Sequence, residues 1–164
     1  MTKVKICGIT NLEDALVAVQ AGADFLGFNF YEPSPRYVAP EVVKDIVSNI
    51  KRQVSRVNDD VWPKFVGIFV NAALETVTHT LDDCQLDAAQ LHGDESPEFV
   101  RHFGGHAFKV LRPQSQEEAG SLIQKYLPTS PSPTPYSLLP YFLIDAYHPT
   151  LYGGTGHVTD WTMA

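Results

Sequence analysis

The chain is poor in cysteine, with two in 164 residues, and poor in positive charge, with 12 Lys and Arg against 19 Asp and Glu. Two thiols as far apart as Cys7 and Cys84 do not make the disulfide framework of a small secreted domain, nor the clustered ligands of a zinc site. They imply free thiols in a reducing, cytoplasmic compartment, and the N-terminus carries no signal-like segment. A net charge of -7 without any basic run excludes a general nucleic-acid binder. No apolar stretch approaches the length of a membrane span, so no membrane partner is implied.

What remains is a soluble globular composition, 44% hydrophobic and 19% charged. That length suits one domain over residues 1–164 and is too short for two comfortable ones. Five prolines fall between Pro128 and Pro140 among serines and threonines, which marks a solvated insertion loop at 128–140.

Strand and helix patterns alternate along the chain. Val4–Cys7 is a first strand, and Asn11 caps a helix through Ala21, with Leu12, Ala15, Leu16 and Val19 on one face and Gly22 closing it. Asp24–Phe30 is an unbroken apolar run, the pattern of a strand covered on both faces. A helix from near Pro40 carries Val42, Val43, Ile46, Val47 and Ile50. Further strands are expected at Lys64–Val70, Ala88–Leu91, Ala107–Leu111 and Tyr141–Asp145, with helices at Leu74–Leu81, Pro97–Phe103 and Gln116–Tyr126 between them. Repeated units of this kind favour a parallel α/β sheet, and pattern alone leaves an open doubly wound sheet and a (β/α)8 barrel both standing.

In either architecture, residues just after the strands share one face, where ligands meet the backbone. Cys7 ends the first strand at a glycine turn and is a base, a nucleophile or a small buried hydrophobe. Lys5 shares that strand and points away from Val4 and Ile6, toward a barrel interior with a carboxylate close by. Arg36, in a turn with Pro33 and Pro35, is a fixed cation for a carboxylate or phosphate, or one half of a surface ion pair. Gln90 and His92 end the fourth strand, and Lys109 and Arg112 flank the end of the fifth. Asp145 ends an apolar run and is either a capping residue or an acid whose desolvation raises its pKa enough to hold a proton at neutral pH. The loop Gly153-Gly154-Thr155-Gly156 is a phosphate wrap or a plain turn. Cys84 has the setting of inert packing.

These motifs, in order, resemble the phosphoribosylanthranilate isomerase family. They are Lys5-Ile6-Cys7-Gly8-Ile9-Thr10, Gly27-Phe28 with Ser34-Pro35-Arg36-Tyr37, and Gly67-Ile68-Phe69-Val70-Asn71. Gln90-Leu91-His92-Gly93, Leu143-Ile144-Asp145-Ala146, and Gly153–Gly156 with Asp160-Trp161 complete the set. The resemblance implies a (β/α)8 barrel and the Amadori rearrangement of N-(5-phosphoribosyl)anthranilate in tryptophan biosynthesis, with no metal or organic cofactor. By the family pattern Asp145 is the general acid that opens the furanose ring, and Cys7, as thiolate, is the base that takes the C2′ proton. Arg36 holds the anthranilate carboxylate, Gln90 and His92 line the substrate site, and Gly154, Thr155 and Gly156 form part of the phosphate cradle. The partner is thus a small phosphosugar, and the family pattern admits a homodimer or a fusion to another enzyme of the pathway.

The chain ends where a sixth helix would begin, which leads to the expectation of a barrel truncated after its sixth strand, with two βα units and most of the phosphate grip missing. Catalysis would then be weakened. The competing expectation is an impaired barrel fragment that acts through association with a partner chain.

Overall fold

A computed structural model of the chain describes residues 2–54, 63–127 and 142–147. The Pro-rich segment 128–140, the Gly153–Gly156 loop and Asp160-Trp161 lie outside the described residues. Eleven elements alternate along the described chain: β1 (Lys5–Cys7), α1 (Leu12–Gln20), β2 (Phe25–Asn29), α2 (Pro40–Val54), β3 (Lys64–Phe69), α3 (Leu74–Asp83), β4 (Ala88–Leu91), α4 (Pro97–His102), β5 (Ala107–Leu111), α5 (Gln116–Tyr126) and β6 (Phe142–Ile144). The chain divides into two compact units, Met1–Ala89 and Gln90–Ala164.

In the first unit β1, β2 and β3 pair in parallel and in chain order, with Cys7 opposite Gly27 and Phe28 opposite Gly67. β2 is buried on both faces through Phe28, as its unbroken apolar run implies. Against it packs α2, whose Val43, Ile46, Val47 and Ile50 recur at helical spacing and are all essentially inaccessible. Val42, expected on the same stripe, falls on the exposed side because it is one residue off that period. α1 begins as predicted. The Asn11 side chain accepts the Asp14 N–H at 2.8 Å, and Gly22 follows the helix in the left-handed region at φ 83°.

Two aspartates anchor the starts of the strands. Asp24 accepts from Lys3 Nζ at 2.7 Å and from the Val4 N–H at 2.8 Å. Asp87 does the same one βα pair later, accepting from Lys64 Nζ and the Phe65 N–H, both at 2.8 Å. Each aspartate thus ties the residue before one strand to the first residues of its neighbour, at the end opposite Cys7.

The apolar face of β1 is not buried. Val4 and Ile6 are 48% and 40% exposed, and Val17 of α1 is 61% exposed beside them. These three side chains share an apolar groove that no described residue covers.

In the second unit β5 and β6 pair in parallel, Leu111 opposite Ile144. α4 and α5 start on serine caps, Ser96 and Ser115, whose side chains accept from Phe99 N and Glu118 N. The Glu118 carboxylate reaches back to the Gln114 N–H at 2.8 Å, which fixes the entry into α5.

Candidate active site

In the first unit, β1 runs into Gly8, whose φ of +81° turns the chain sharply after Cys7. The N–H groups of Gly8 and Ile9 both donate to the Gly27 carbonyl, at 2.9 and 3.0 Å, so the turn is pinned to β2. Cys7 is exposed at this edge. Its Sγ occupies space that a side chain at position 27 would claim, since a Cβ there would lie 3.2 Å from the sulfur. A side chain at position 8 would in turn meet the Arg36 stem at 3.3 Å. Two glycines thus make room for the thiol and for the arginine.

Arg36 is placed by its loop. Asn29, the last residue of β2, donates to Ser34 Oγ at 3.0 Å and accepts from the Tyr31 N–H at 2.9 Å, while the Arg36 N–H donates to Ser34 Oγ at 3.2 Å. The guanidinium makes no hydrogen bond or ion pair among the described residues, which leaves its charge available to an anion. Cys7, Gly8 and Arg36 stand at the end of the same groove that Val4, Ile6 and Val17 line, about 450 Å³ in all. Lys5, two residues before Cys7 on the same face of β1, has its ammonium pushed below the usual range by burial, opposed by the neighbouring Cys7. Cys84 is buried at the end of α3, where its thiol donates to the Pro40 carbonyl at 3.3 Å and burial raises its pKa. It is packing, as expected.

In the second unit, Gln90, His92 and Asp145 form a chain of contacts. Gln90 Nε2 lies 3.3 Å from His92 Nδ1, and His92 Nε2 lies 3.1 Å from Asp145 Oδ2. A carboxylate only accepts, so a hydrogen bond across the His92–Asp145 contact runs from Nε2–H to Oδ2, and an amide NH₂ donating from Gln90 fits an accepting Nδ1. Asp145 itself is held by the ladder: its N–H donates to the Leu111 carbonyl at 2.9 Å, and its Oδ1 accepts the Ala146 N–H at 2.9 Å.

This arrangement corrects the expected acidity of Asp145. The hydrogen bond from His92 outweighs burial and holds the carboxyl below its ordinary value. Desolvation acts in the anticipated direction but is the smaller influence. Gly154, Thr155 and Gly156, the expected phosphate loop, lie outside the described residues.

Sequence reasoning passed over Asn29 and Ser34, although an Asn ending a strand before a Ser-Pro turn is a signal for side-chain-to-backbone bonding. It also passed over Glu95, which lies buried beside Lys109, with Nζ to Oε2 at 3.2 Å.

Comparison with known proteins gives the family. A family model described as N-(5'phosphoribosyl)anthranilate (PRA) isomerase matches residues 4–164. The N-(5'-phosphoribosyl)anthranilate isomerase of Citrifermentans bemidjiense is 44% identical over the whole chain, which spans 69% of that relative. A crystal structure of the isomerase from Thermotoga maritima superposes with a TM-score of 0.74 at 33% identity, over 99% of this chain and 70% of that one. A further crystal structure, of a phosphoribosyl anthranilate isomerase in complex with reduced 1-(o-carboxyphenylamino)-1-deoxyribulose 5-phosphate, gives a TM-score of 0.69 at 33% identity, over 90% of this chain and 66% of that one. With a parallel α/β architecture and a match across essentially its full length, the chain belongs to the family of N-(5'-phosphoribosyl)anthranilate isomerases, the isomerases of tryptophan biosynthesis.

Proposed function

We propose that the chain carries out the Amadori rearrangement of N-(5-phosphoribosyl)anthranilate with Cys7 as general base and Asp145 as general acid. Asp145 delivers a proton to the furanose ring oxygen as the C1′–O bond breaks, and the anilino nitrogen lone pair closes a C1′=N Schiff-base cation. The Cys7 thiolate takes the C2′ proton, and the C2′–H electron pair moves into a C1′=C2′ bond as the nitrogen regains its lone pair. The resulting enolamine tautomerises to the 2′-ketone. Arg36 holds the anthranilate carboxylate.

The observation that carries this reading is the shared groove of Cys7 and Arg36, an exposed thiol and a guanidinium without a partner among the described residues, placed together by Gly8 and Gly27. The His92 hydrogen bond favours the ionised carboxylate, so Asp145 takes up a proton from solvent before it opens the ring. Each of these residues stands at the C-terminal end of a strand or in the loop after it, the position of ligand-facing residues in parallel α/β folds. A catalytic thiol also suits the cytoplasm, where it stays reduced.

Iodoacetamide tests the assignment of the base. The expected result is one carboxamidomethyl group on Cys7, none on buried Cys84, and loss of turnover in step with the modification. Full turnover by protein alkylated at Cys7 would overturn it.

A further inference from the structure

Lys109 of β5 and Glu95 of the β4–α4 loop are both buried, at 3% and 6% exposure. Such a pair is weak evidence for stability, because well-packed apolar residues of similar volume often do as well. Two of the carbonyls and the one N–H that it holds belong to Leu91 and Gly93. Lys109 Nζ donates to the carbonyls of Leu91 at 3.2 Å, Gly93 at 2.7 Å and Val110 at 3.0 Å. Both Glu95 oxygens accept the Gly93 N–H, at 3.1 and 3.0 Å. Tyr126 of α5 closes the far side, its hydroxyl donating to the Glu95 carbonyl at 2.7 Å.

The peptide groups on both sides of His92 are therefore held: the Leu91 carbonyl by Lys109, the Gly93 N–H by Glu95 and the Gly93 carbonyl by Lys109. We infer that the Lys109–Glu95 pair is a buried clamp that sets the His92 ring against Asp145, which makes Lys109 and Glu95 positioning residues for proton transfer at that carboxyl. The inference rests on the reading of Asp145 as general acid for its catalytic consequence, and on the His92 geometry alone for its structural one. Positional accuracy explains what an apolar pair could not supply: apolar side chains at 109 and 95 fill the space but leave three carbonyls and one N–H without direction.

The test is ¹⁵N-histidine NMR of the full chain, with turnover measured alongside. The unmodified chain is expected to show His92 as the Nε2–H tautomer. In the double variant Lys109→Met/Glu95→Leu, which removes both charges together, a mixture of tautomers is expected. Turnover should fall by roughly tenfold to a hundredfold in kcat with KM little changed, as expected for a displaced catalytic group. Glu95→Gln, which keeps an acceptor for the Gly93 N–H, carries the test if the double variant does not fold, with a smaller shift in the same direction. An unchanged His92 tautomer signal in a folded variant overturns the inference. Asp145→Asn separates the two readings. If it keeps full turnover, the acid assignment fails while the His92 signal still decides the clamp; if it loses turnover while the clamp variants keep the His92 signal, only the clamp fails.

Discussion

The His92 ring and the Asp145 carboxylate, 53 residues apart in sequence, meet at 3.1 Å through His92 Nε2 and Asp145 Oδ2. This contact is the largest influence on the acidity of the carboxyl and outweighs the burial that acts toward the neutral form.

Removing it should therefore change both acidity and acid stability. In His92→Ala the Asp145 carboxyl is expected to titrate higher than in the parent, as seen by carbon-detected NMR of the side chain. The sign for stability follows from linkage. A carboxyl whose folded pKa lies below its unfolded value adds stability that is complete above about pH 4 and is lost as pH falls through the folded pKa. His92→Ala should lose part of that dependence, so urea denaturation between pH 3 and 6 should show a shallower slope in the variant.

Gly27 tests the room made for the thiol. A Cβ there would lie 3.1 Å from Ile68 Cδ1, 3.2 Å from Cys7 Sγ and 3.3 Å from Cys7 Cα. Gly27→Ala should cost about 1–3 kcal/mol by overpacking, measured by denaturant titration, and should slow alkylation of Cys7.

Arg36 lacks a protein partner among the described residues, so its loss should spare the fold. Arg36→Met is expected to raise KM by roughly tenfold to a hundredfold, the worth of a charged hydrogen bond, with little change in Tm. A large fall in Tm with unchanged KM would assign the guanidinium a structural role.

Asp87 is the opposite case. Asp87→Ala strips the Phe65 N–H and Lys64 Nζ of a common acceptor at the far end of β3 from the site. Stability should fall by about 1–3 kcal/mol while the KM of the folded fraction stays put.

The elements were legible where one period governs a segment. The both-faced burial of β2, the stripe on α2 and the Asn11 cap all follow from local spacing. Faces were less legible where burial depends on what packs from elsewhere, as at Val4 and Ile6, whose alternation says which residues pair up but not what covers them. The candidate residues could be proposed because each stands at a strand end or in the loop after it, a position that is local in sequence. Their partners could not. The bonds from His92 to Asp145 and from Lys109 to the β4–α4 loop join distant segments, and the direction of the Asp145 shift depends on one of them. Desolvation alone, the only influence visible from an apolar run, points the other way.

The most direct test of the account follows the loss of anthranilate fluorescence from freshly made phosphoribosylanthranilate in parallel for the parent chain, Cys7→Ser and Asp145→Asn. The account predicts turnover by the parent and its collapse in each variant, with all three folded to the same extent by circular dichroism. Equal turnover in all three would contradict it.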